Sequence, residues 1–249
     1  MPGLDFKLTL SCIIVTMTLT AQRAPYGYSD LPGLMSLMAG DAKHDPAAQS
    51  TLDVLWVLYD RVLRVSPQTI DDDARDRFLL SKGHGPMAYY AVLAATGFLD
   101  PGLLPSFGKF GSRLGQHPDR VLVPGAEISS GSLGHGLPLA VGMALGLRIR
   151  KLASSRVFVL VGDGELDEGS NHEAIAFAGA VGLEALNAVV VDNASATYGW
   201  PGGIETRFSR EGWSAVRADG RDHDELEAAF GTPHPGQPQV VVATVEPKR

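Results

Sequence analysis

The sequence predicts an α/β fold, in which a parallel sheet carries helices on both faces. Two uninterrupted hydrophobic runs, at 157–161 and 188–191, are typical of parallel strands that are covered on both sides. Segments with helical spacing of their apolar residues alternate with these and with further strand candidates. Alternation of strand, helix and strand favours a parallel sheet joined by right-handed crossovers.

The predicted elements follow one another along most of the chain. The first helix is expected at 51–63, where leucine and aromatic residues recur at helical spacing. Stretches 71–77, 125–136 and 199–207 are expected to be loops, since they are rich in charged residues or glycine. The other helices are expected at 86–96, 137–152, 168–181 and 224–230, and the strands at 77–81, 157–161, 188–191, 213–217 and 239–245.

Composition excludes several classes of protein. A net charge of −7 argues against a nucleic-acid-binding protein, which would normally carry a basic surface. The single cysteine, Cys12, excludes an internal disulfide framework and any CxxC zinc or redox site. The 29 glycines are concentrated in the middle of the chain, which suggests backbone packed closely against a ligand.

The N-terminal segment differs in character from the rest. Its apolar run at 8–20 is too short and too rich in threonine to span a membrane. One preceding lysine and no clean cleavage site make a secretory signal peptide the weaker interpretation. We therefore expect residues 1–25 to be a disordered extension or a start assigned too early, residues 26–249 to form one domain, and the protein to be cytoplasmic.

Asp163 and Asn193 directly follow the two most hydrophobic strands. Ligands of parallel sheets bind at the carboxyl ends of the strands, so neighbouring strands would place both side chains at one edge. A carboxylate and an amide oxygen suit a hard cation such as Mg²⁺ or Ca²⁺ rather than zinc. Gly162 and Gly164 leave room beside Asp163 for a diphosphate. The simpler interpretation is that Asp163 only caps the next helix, but Asp192-Asn193 one βα unit later favours the metal site.

The motifs resemble those of the thiamine-diphosphate enzymes. GDGELDEG at 162–169, followed by VVVDN at 189–193, is similar to the thiamine-diphosphate motif. Three further stretches resemble the N-terminal half of transketolase and occur in the same order: SKGHG at 81–85, GSRLGQHPDR at 111–120 and GAEISSGSLGHGLPLAVGMALG at 125–146. The resemblance extends from about residue 39 to 245 and implies the thiamine-diphosphate-binding (diphosphate-domain) fold.

The resemblance also implies roles for individual residues. Asp163, the side chain of Asn193 and the carbonyl of Ser195 would hold the divalent cation. Gly162 and Gly164 would lie against the diphosphate. The remaining implied positions are Gly131 and Leu133 at the aminopyrimidine, His84 and His117 at the diphosphate and reaction centre, His44 at a family histidine before the first helix, and Glu168 beside the cofactor and the subunit interface.

The function that the resemblance implies is ketol (two-carbon) transfer between sugar phosphates or related sugars. In the family, a glutamate from a second, pyrimidine-binding domain activates the cofactor, and no such domain is found in this sequence. We therefore predict the diphosphate- and Mg²⁺-binding subunit of a split transketolase, active only with a pyrimidine-domain partner. Such an enzyme would be a hetero-oligomer, for example a heterotetramer.

Two alternatives remain open at this point. One is the α-subunit of a 2-oxoacid dehydrogenase-type enzyme, which shares the metal motif but which SKGHG and GQHP disfavour. The other is a non-catalytic scaffold subunit with the same fold. Two departures favour the scaffold slightly: KHDPAA stands where the family has glycines after His44, and the polar Ser195 replaces an apolar residue expected beside the thiazolium. Thr197 also replaces an apolar residue expected there.

Overall fold

A computed structural model of the chain describes residues 26–39 and 45–247. The extension expected over residues 1–25 and the candidate His44 lie outside these ranges. The side chains of Asp45 and Pro46 are likewise not described.

A five-stranded parallel sheet lies at the centre of the fold, with strand order β1-β2-β3-β5-β4. This confirms the predicted fold class, and each strand overlaps its predicted position. The largest difference is in β3, which is longer than the hydrophobic run that identified it. The strands are β1 (Arg77–Leu80), β2 (Val157–Gly162), β3 (Leu186–Asp192), β4 (Ser214–Asp219) and β5 (Gln239–Thr244).

Helices flank the sheet on both faces, and the five predicted ones are present. The first is interrupted: its α-helical part ends at Val57 and a π-helical turn, Leu58–Val62, follows. No helix in the described ranges combines the length and apolar character needed to cross a bilayer. In chain order the helices are α1 (Leu31–Ser36), α2 (Asp45–Gln49), α3 (Leu52–Val57), α4 (Met87–Ala95), α5 (Gly136–Ile149), α6 (Gly169–Val181), α7 (Gly203–Arg210) and α8 (His223–Phe230).

The expectation of a loop at 199–207 is wrong over its second half, because α7 begins at Gly203. Pro201, Gly202 and Gly203 indicate a turn, and the residues that follow are mostly polar. Ile204 and Phe208 nevertheless lie one helical turn apart, and both are buried against the sheet. The tertiary packing of these two side chains stabilises a helix that local composition does not predict.

Alternate residues of each central strand enter opposite cores. Phe158 and Leu160 of β2 pack on the face that also carries α3, α4 and α8. Val159 and Val161 pack on the face that carries α5, α6 and α7. Each such side chain contributes about 1.5–3 kcal/mol when fully buried. Burial on both faces explains why the strands are uninterrupted hydrophobic runs.

The pairing of β2 with β3 fixes the edge at which the candidate site lies. Gly162 is in register with Val191, and the Asp163 N–H donates a hydrogen bond to the Val191 carbonyl at 3.1 Å. The two strands are therefore neighbours to their last residues. The condition for Asp163 and Asn193 to share one edge of the sheet is met.

At the opposite edge, the fully buried Asp76 joins the starts of β1 and β2. Its carboxylate accepts hydrogen bonds from the Arg64 Nη2 (2.8 Å), the Arg156 Nη2 (2.6 Å) and the backbone N–H groups of both arginines. Burial by itself would raise the pKa of Asp76. The hydrogen bonds from Arg64 and Arg156 outweigh that effect and lower the pKa below its ordinary value.

Replacing Asp76 by asparagine tests this network. Asp76→Asn is expected to lower the free energy of unfolding by about 3 kcal/mol at pH 7, because two arginines lose their shared counter-charge. The pKa of Asp76 is lower in the folded state than in the unfolded state. The carboxylate therefore stabilises fully above the unfolded value of about 4, and its contribution is lost as the pH falls below that value.

Urea unfolding of wild type and Asp76→Asn between pH 7 and pH 3.5 measures the effect, and the gap between the two curves should begin to narrow below about pH 4. Asp73→Asn, which removes an exposed partner of Arg150, is the matched control and should leave the pH dependence close to wild type. A gap between wild type and Asp76→Asn that is as wide at pH 3.5 as at pH 7 contradicts the ionic explanation.

Candidate functional site

The carboxylate of Asp163 holds the loop that follows β3. Asp163 is 2% exposed. Its Oδ2 accepts the N–H groups of Ser195 (2.6 Å) and Ala196 (3.1 Å), and its Oδ1 accepts the Ser195 hydroxyl (2.5 Å). The Oδ1 also accepts the Gly164 N–H (2.8 Å) and so caps the short 3₁₀ turn Gly164–Asp167. Asp163 thus caps the following 3₁₀ turn, as the simpler interpretation predicted, and it also binds the loop after the neighbouring strand β3.

Asn193 brings an unsatisfied acceptor to the same place. It is 6% exposed, and its Oδ1 is buried with no hydrogen-bond partner. A buried acceptor without a partner costs about 1–3 kcal/mol, so the Asn193 Oδ1 has a lone pair available to a ligand at this position. The Ser195 carbonyl lies beside Gly164, 3.3 Å from where a Cβ on that glycine would be.

A carboxylate, an amide oxygen and a backbone carbonyl form a donor set that fits a hard cation. In the described parts of the chain, no three His, Cys, Asp or Glu side chains are placed to hold a metal by themselves. A cation bound here would therefore complete its shell with oxygen atoms of a ligand, as Mg²⁺ does with phosphates. The residues present fit the predicted cation and diphosphate.

A second carboxylate and one strained residue shape the same loop. Asp167 Oδ2 accepts the N–H groups of Thr197 (2.9 Å) and Tyr198 (3.3 Å), so both acids of the 163–167 turn hold the loop. Ala194 lies between two candidate ligands with a φ of 55°, a left-handed conformation that alanine rarely adopts. Strain of this kind persists where the surrounding contacts fix the backbone.

The two candidate histidines lie together at the glycine-rich loops. The rings of His84 and His117 meet edge to face, with their centroids 5.4 Å apart. The His117 Nε2 is buried and has no hydrogen-bond partner. A Cβ on Gly131 would lie 3.2 Å from the His117 ring, and one on Gly83 would lie 2.9 Å from the Ser130 hydroxyl. Glycine at these positions allows the SKGHG, GQHP and GSLG segments to meet.

Glu165 is a site residue that the sequence analysis missed. It is 3% exposed and accepts hydrogen bonds from the Ser81 hydroxyl and from the N–H groups of Gly134 (2.9 Å) and Gly162 (3.4 Å). Burial raises the pKa of the Glu165 carboxyl above its ordinary value, and these hydrogen bonds offset only part of the rise. An acidic residue directly after GDG, followed by the apolar Leu166, was the available signal.

The structure brings the described candidate residues to one region around the ends of β1, β2 and β3. Leu133 is half-buried between Gly131 and Gly134. Glu168 is exposed, but its Cβ lies only 2.7 Å from the position of a Cβ on Gly134. The candidates brought together are His84, His117, Gly131, Leu133, Gly162, Asp163, Gly164, Glu168, Asn193 and Ser195.

Comparisons of the sequence identify the kind of domain that carries this site. Residues 36–244 match the family model described as transketolase, thiamine diphosphate binding domain. A protein of Rhodococcoides fascians named ferredoxin fas2 is 59% identical over 220 residues, which cover 88% of this chain and 72% of that protein. One of the subunits of the apulose-4-phosphate transketolase of Phocaeicola vulgatus is 35% identical over 195 residues, which cover 76% of this chain and 69% of that protein.

The solved structures agree with the sequence comparisons. A mutant transketolase of Pichia stipitis in complex with fructose-6-phosphate superposes with a TM-score of 0.75 at 26% identity. The superposition covers 87% of this chain and 36% of that one, so this chain spans about a third of that transketolase. The predicted thiamine-diphosphate-binding fold is confirmed.

Substitution of Ala194 tests whether its conformation is strained. Ala194→Gly is expected to raise the free energy of unfolding by about 0.5–1 kcal/mol. Glycine removes the strain of the left-handed conformation, and this gain is partly offset because glycine also increases the conformational entropy of the unfolded chain. Ala194→Val should lower it by about 1 kcal/mol or more. Ala196→Gly, in the same loop but without a positive φ, is the control and should be destabilising. Denaturant unfolding measures all three, and a destabilised Ala194→Gly contradicts the assignment of strain.

Proposed function

The chain belongs to the transketolase family, of which it carries the thiamine diphosphate binding domain, and from this premise we propose that it is the cofactor-binding subunit of a split transketolase-like enzyme. The enzyme transfers two-carbon ketol units between sugar phosphates or related sugars. The Phocaeicola relative is named as one subunit of a transketolase, and this chain covers 69% of it, which supports a two-subunit enzyme.

One observation carries the proposal. At the shared end of β2 and β3, the buried Asp163 holds the loop of Ser195, and the buried Oδ1 of Asn193 has no partner within the described chain. This arrangement supplies three oxygen ligands and leaves one of them unsatisfied. In the proposed enzyme, Asp163, Asn193 and the Ser195 carbonyl hold Mg²⁺ or Ca²⁺, and Gly162 and Gly164 face the diphosphate.

Of the four hydrogen bonds to the Asp163 carboxylate, three come from fixed backbone N–H groups and one from the Ser195 hydroxyl, which can rotate. Rotation of that hydroxyl frees one lone pair of the Asp163 Oδ1 for the cation. The backbone hydrogen bonds stay in place and keep the loop at the site. Ser195 would therefore supply a carbonyl ligand to the cation and a hydroxyl whose hydrogen bond to Asp163 can be broken when the cation binds.

The remaining candidate residues surround the rest of the proposed cofactor site. Thiamine diphosphate, when bound, supplies the carbanion chemistry needed to break and form a carbon–carbon bond beside a carbonyl. Gly131 and Leu133 are proposed to lie along the aminopyrimidine, with Glu168 beside it. His84 and His117 are proposed to hold and move protons at the reaction centre. The unpaired Nε2 of His117 supports this role, because it can accept or donate a proton without breaking an internal contact.

A histidine ahead of α3, His44, is proposed as a third member of this set on the resemblance alone. We also propose one domain over residues 26–249, with residues 1–25 as an extension. The partner is proposed to be a pyrimidine-domain protein, and the complex a hetero-oligomer such as a heterotetramer. A cytoplasmic location is in keeping with the single cysteine of the chain.

The ferredoxin character in the name of the Rhodococcoides relative is not proposed for these 249 residues. An iron–sulfur cluster is held by about four cysteine thiolates, whereas the sequence contains one cysteine. The α-subunit of a 2-oxoacid dehydrogenase is not favoured, because the match over residues 36–244 is to the transketolase domain. Binding of thiamine diphosphate by the wild-type chain distinguishes the proposed enzyme subunit from the non-catalytic scaffold alternative.

Asn193→Ala tests the metal site with little interference from folding. The Oδ1 of Asn193 has no partner, so its removal should leave the free energy of unfolding unchanged or slightly higher. Affinity for thiamine diphosphate in the presence of MgCl₂, measured by titration calorimetry, should fall on the order of 100-fold. Chelation of the cation should lower wild-type affinity in the same way.

Asp192→Asn is the matched control, because Asp192 precedes Asn193 but pairs with Arg217 at 3.0 Å. It should bind the cofactor within about threefold of wild type. Wild-type protein that binds no thiamine diphosphate, alone or with its partner, would favour the scaffold alternative. Equal affinities of wild type and Asn193→Ala would remove Asn193 from the metal site.

Activity tests the division of the enzyme between two chains. The chain mixed with a pyrimidine-domain partner, thiamine diphosphate and MgCl₂ should transfer a two-carbon unit from a ketose phosphate to an aldose phosphate. Neither protein should do so alone, because each carries only part of the cofactor site. Full activity of the purified chain by itself contradicts the split enzyme, and decarboxylation of a 2-oxoacid with an artificial electron acceptor supports the dehydrogenase alternative.

A further inference from the structure

We propose that Glu165 is a positioning residue, which sets the spacing of the three loops that hold the cofactor. The inference rests on the proposed function. It states that Glu165, which is buried, affects cofactor affinity through the loops that it holds. The three loops are the SKGHG segment (81–85), the GSLG segment (131–134) and the GDG turn (162–164).

A directed chain of hydrogen bonds runs through the Glu165 carboxylate. The Gly136 N–H donates to the Ser81 hydroxyl at 3.0 Å, and that hydroxyl donates onward to the Glu165 Oε1. The Oε1 also accepts the Gly134 N–H at 2.9 Å, while the Oε2 accepts the Gly162 N–H at 3.4 Å. A backbone N–H can only donate, so the Ser81 proton must be directed at the carboxylate. Glu165 is therefore the common acceptor of donors from all three loops.

The backbones of these loops approach so closely that glycine is required. A Cβ on Gly136 would lie 2.2 Å from the Ser81 Cβ, and a Cβ on Gly134 would lie 2.7 Å from the Glu168 Cβ. At these two points no side chain on Gly134 or Gly136 fills the space between the segments. Hydrogen bonds connect them there: those to Glu165, and one from the Ser170 hydroxyl to the Gly134 carbonyl (2.7 Å).

Fold stability alone does not explain a carboxylate at this position. Glu165 is 3% exposed, and the ion pairs found among the described residues do not include it. Burying a carboxylate without a cation costs free energy, and an apolar side chain would stabilise a core better. What Glu165 provides is acceptor geometry, with two oxygens that reach three separate loops.

Each of the three loops also carries a residue proposed to contact the cofactor: His84 in the first, Leu133 in the second and Asp163 in the third. Loss of the shared acceptor would let the loops separate and would misplace all three contacts. We therefore expect Glu165 to affect affinity for thiamine diphosphate more strongly than it affects stability.

Three variants separate acceptor geometry from charge. Glu165→Ala removes every hydrogen bond and should weaken binding of thiamine diphosphate with saturating MgCl₂ by about 30-fold or more. Glu165→Gln keeps an oxygen for Ser81 and Gly134 and should stay within about fivefold of wild type. Ser81→Ala removes one link and should weaken binding about tenfold. Titration calorimetry on the full chain gives the affinities, and urea unfolding gives the stabilities.

Two controls separate positioning from general destabilisation. Glu184→Ala also removes a carboxylate that accepts a glycine N–H (Gly236, 3.1 Å), but far from the site, and should leave affinity within about twofold. Leu226→Ala removes a fully buried side chain of α8 and destabilises the chain without touching the three loops. It should bind thiamine diphosphate as wild type does in conditions where it is folded.

The outcomes distinguish this inference from the proposed function. Absence of binding by wild type overturns the proposed function and the role of Glu165 with it. Binding by wild type together with Glu165→Ala affinity within about threefold of it overturns the role of Glu165 alone. Glu165→Gln as weak as Glu165→Ala overturns the acceptor geometry. If Glu165→Ala does not fold, Ser81→Ala and Glu165→Gln decide the matter by the same criteria.

Discussion

The candidate site depends on the hydrogen bonds between Asp163, at the end of β2, and the loop after β3. Parallel pairing of the two strands brings their ends together, and the Asp163 carboxylate then fixes the loop through the N–H groups of Ser195 and Ala196. That contact fixes the loop that carries the Asn193 amide and the Ser195 carbonyl, the two further ligands proposed for the cation. Without it, two polar strand ends would share an edge of the sheet but form no common site.

Polar side chains are buried at both ends of the sheet, and only some of them have hydrogen-bond partners. At the amino end, Asp76 is satisfied by Arg64 and Arg156, so its charge contributes to stability. At the carboxyl end, the Asn193 Oδ1 and the His117 Nε2 are buried without partners. Unsatisfied atoms lower stability and are retained where a ligand completes them. Unpaired buried atoms also occur at the amino end, on Ser155 and Gln239, so they do not by themselves mark one end of the sheet. What distinguishes the carboxyl end is the donor set that Asp163, Asn193 and Ser195 form there.

The glycines of three segments and the buried Glu165 carboxylate act together to bring those segments into contact. Glycine lets the SKGHG, GSLG and GDG segments approach more closely than side chains would allow, which brings their backbone N–H groups toward one point. Those groups need an acceptor, and the Glu165 carboxylate supplies it together with the Ser81 hydroxyl. Hydrogen bonds on the buried side thus connect the three segments that are proposed to contact the cofactor.

The sequence by itself determined the parallel α/β architecture and the position of Asp163 and Asn193 at strand ends, because hydrophobic runs and strand-end residues are local features. That the two strands are neighbours was decided by the sheet order. It did not determine α7, whose PGG start indicates a turn until Ile204 and Phe208 find a core to enter. Nor did it indicate Glu165, since the donors that satisfy this residue come from segments distant in sequence. Only tertiary structure decides such contacts, because burial and hydrogen-bond partners belong to the assembled chain.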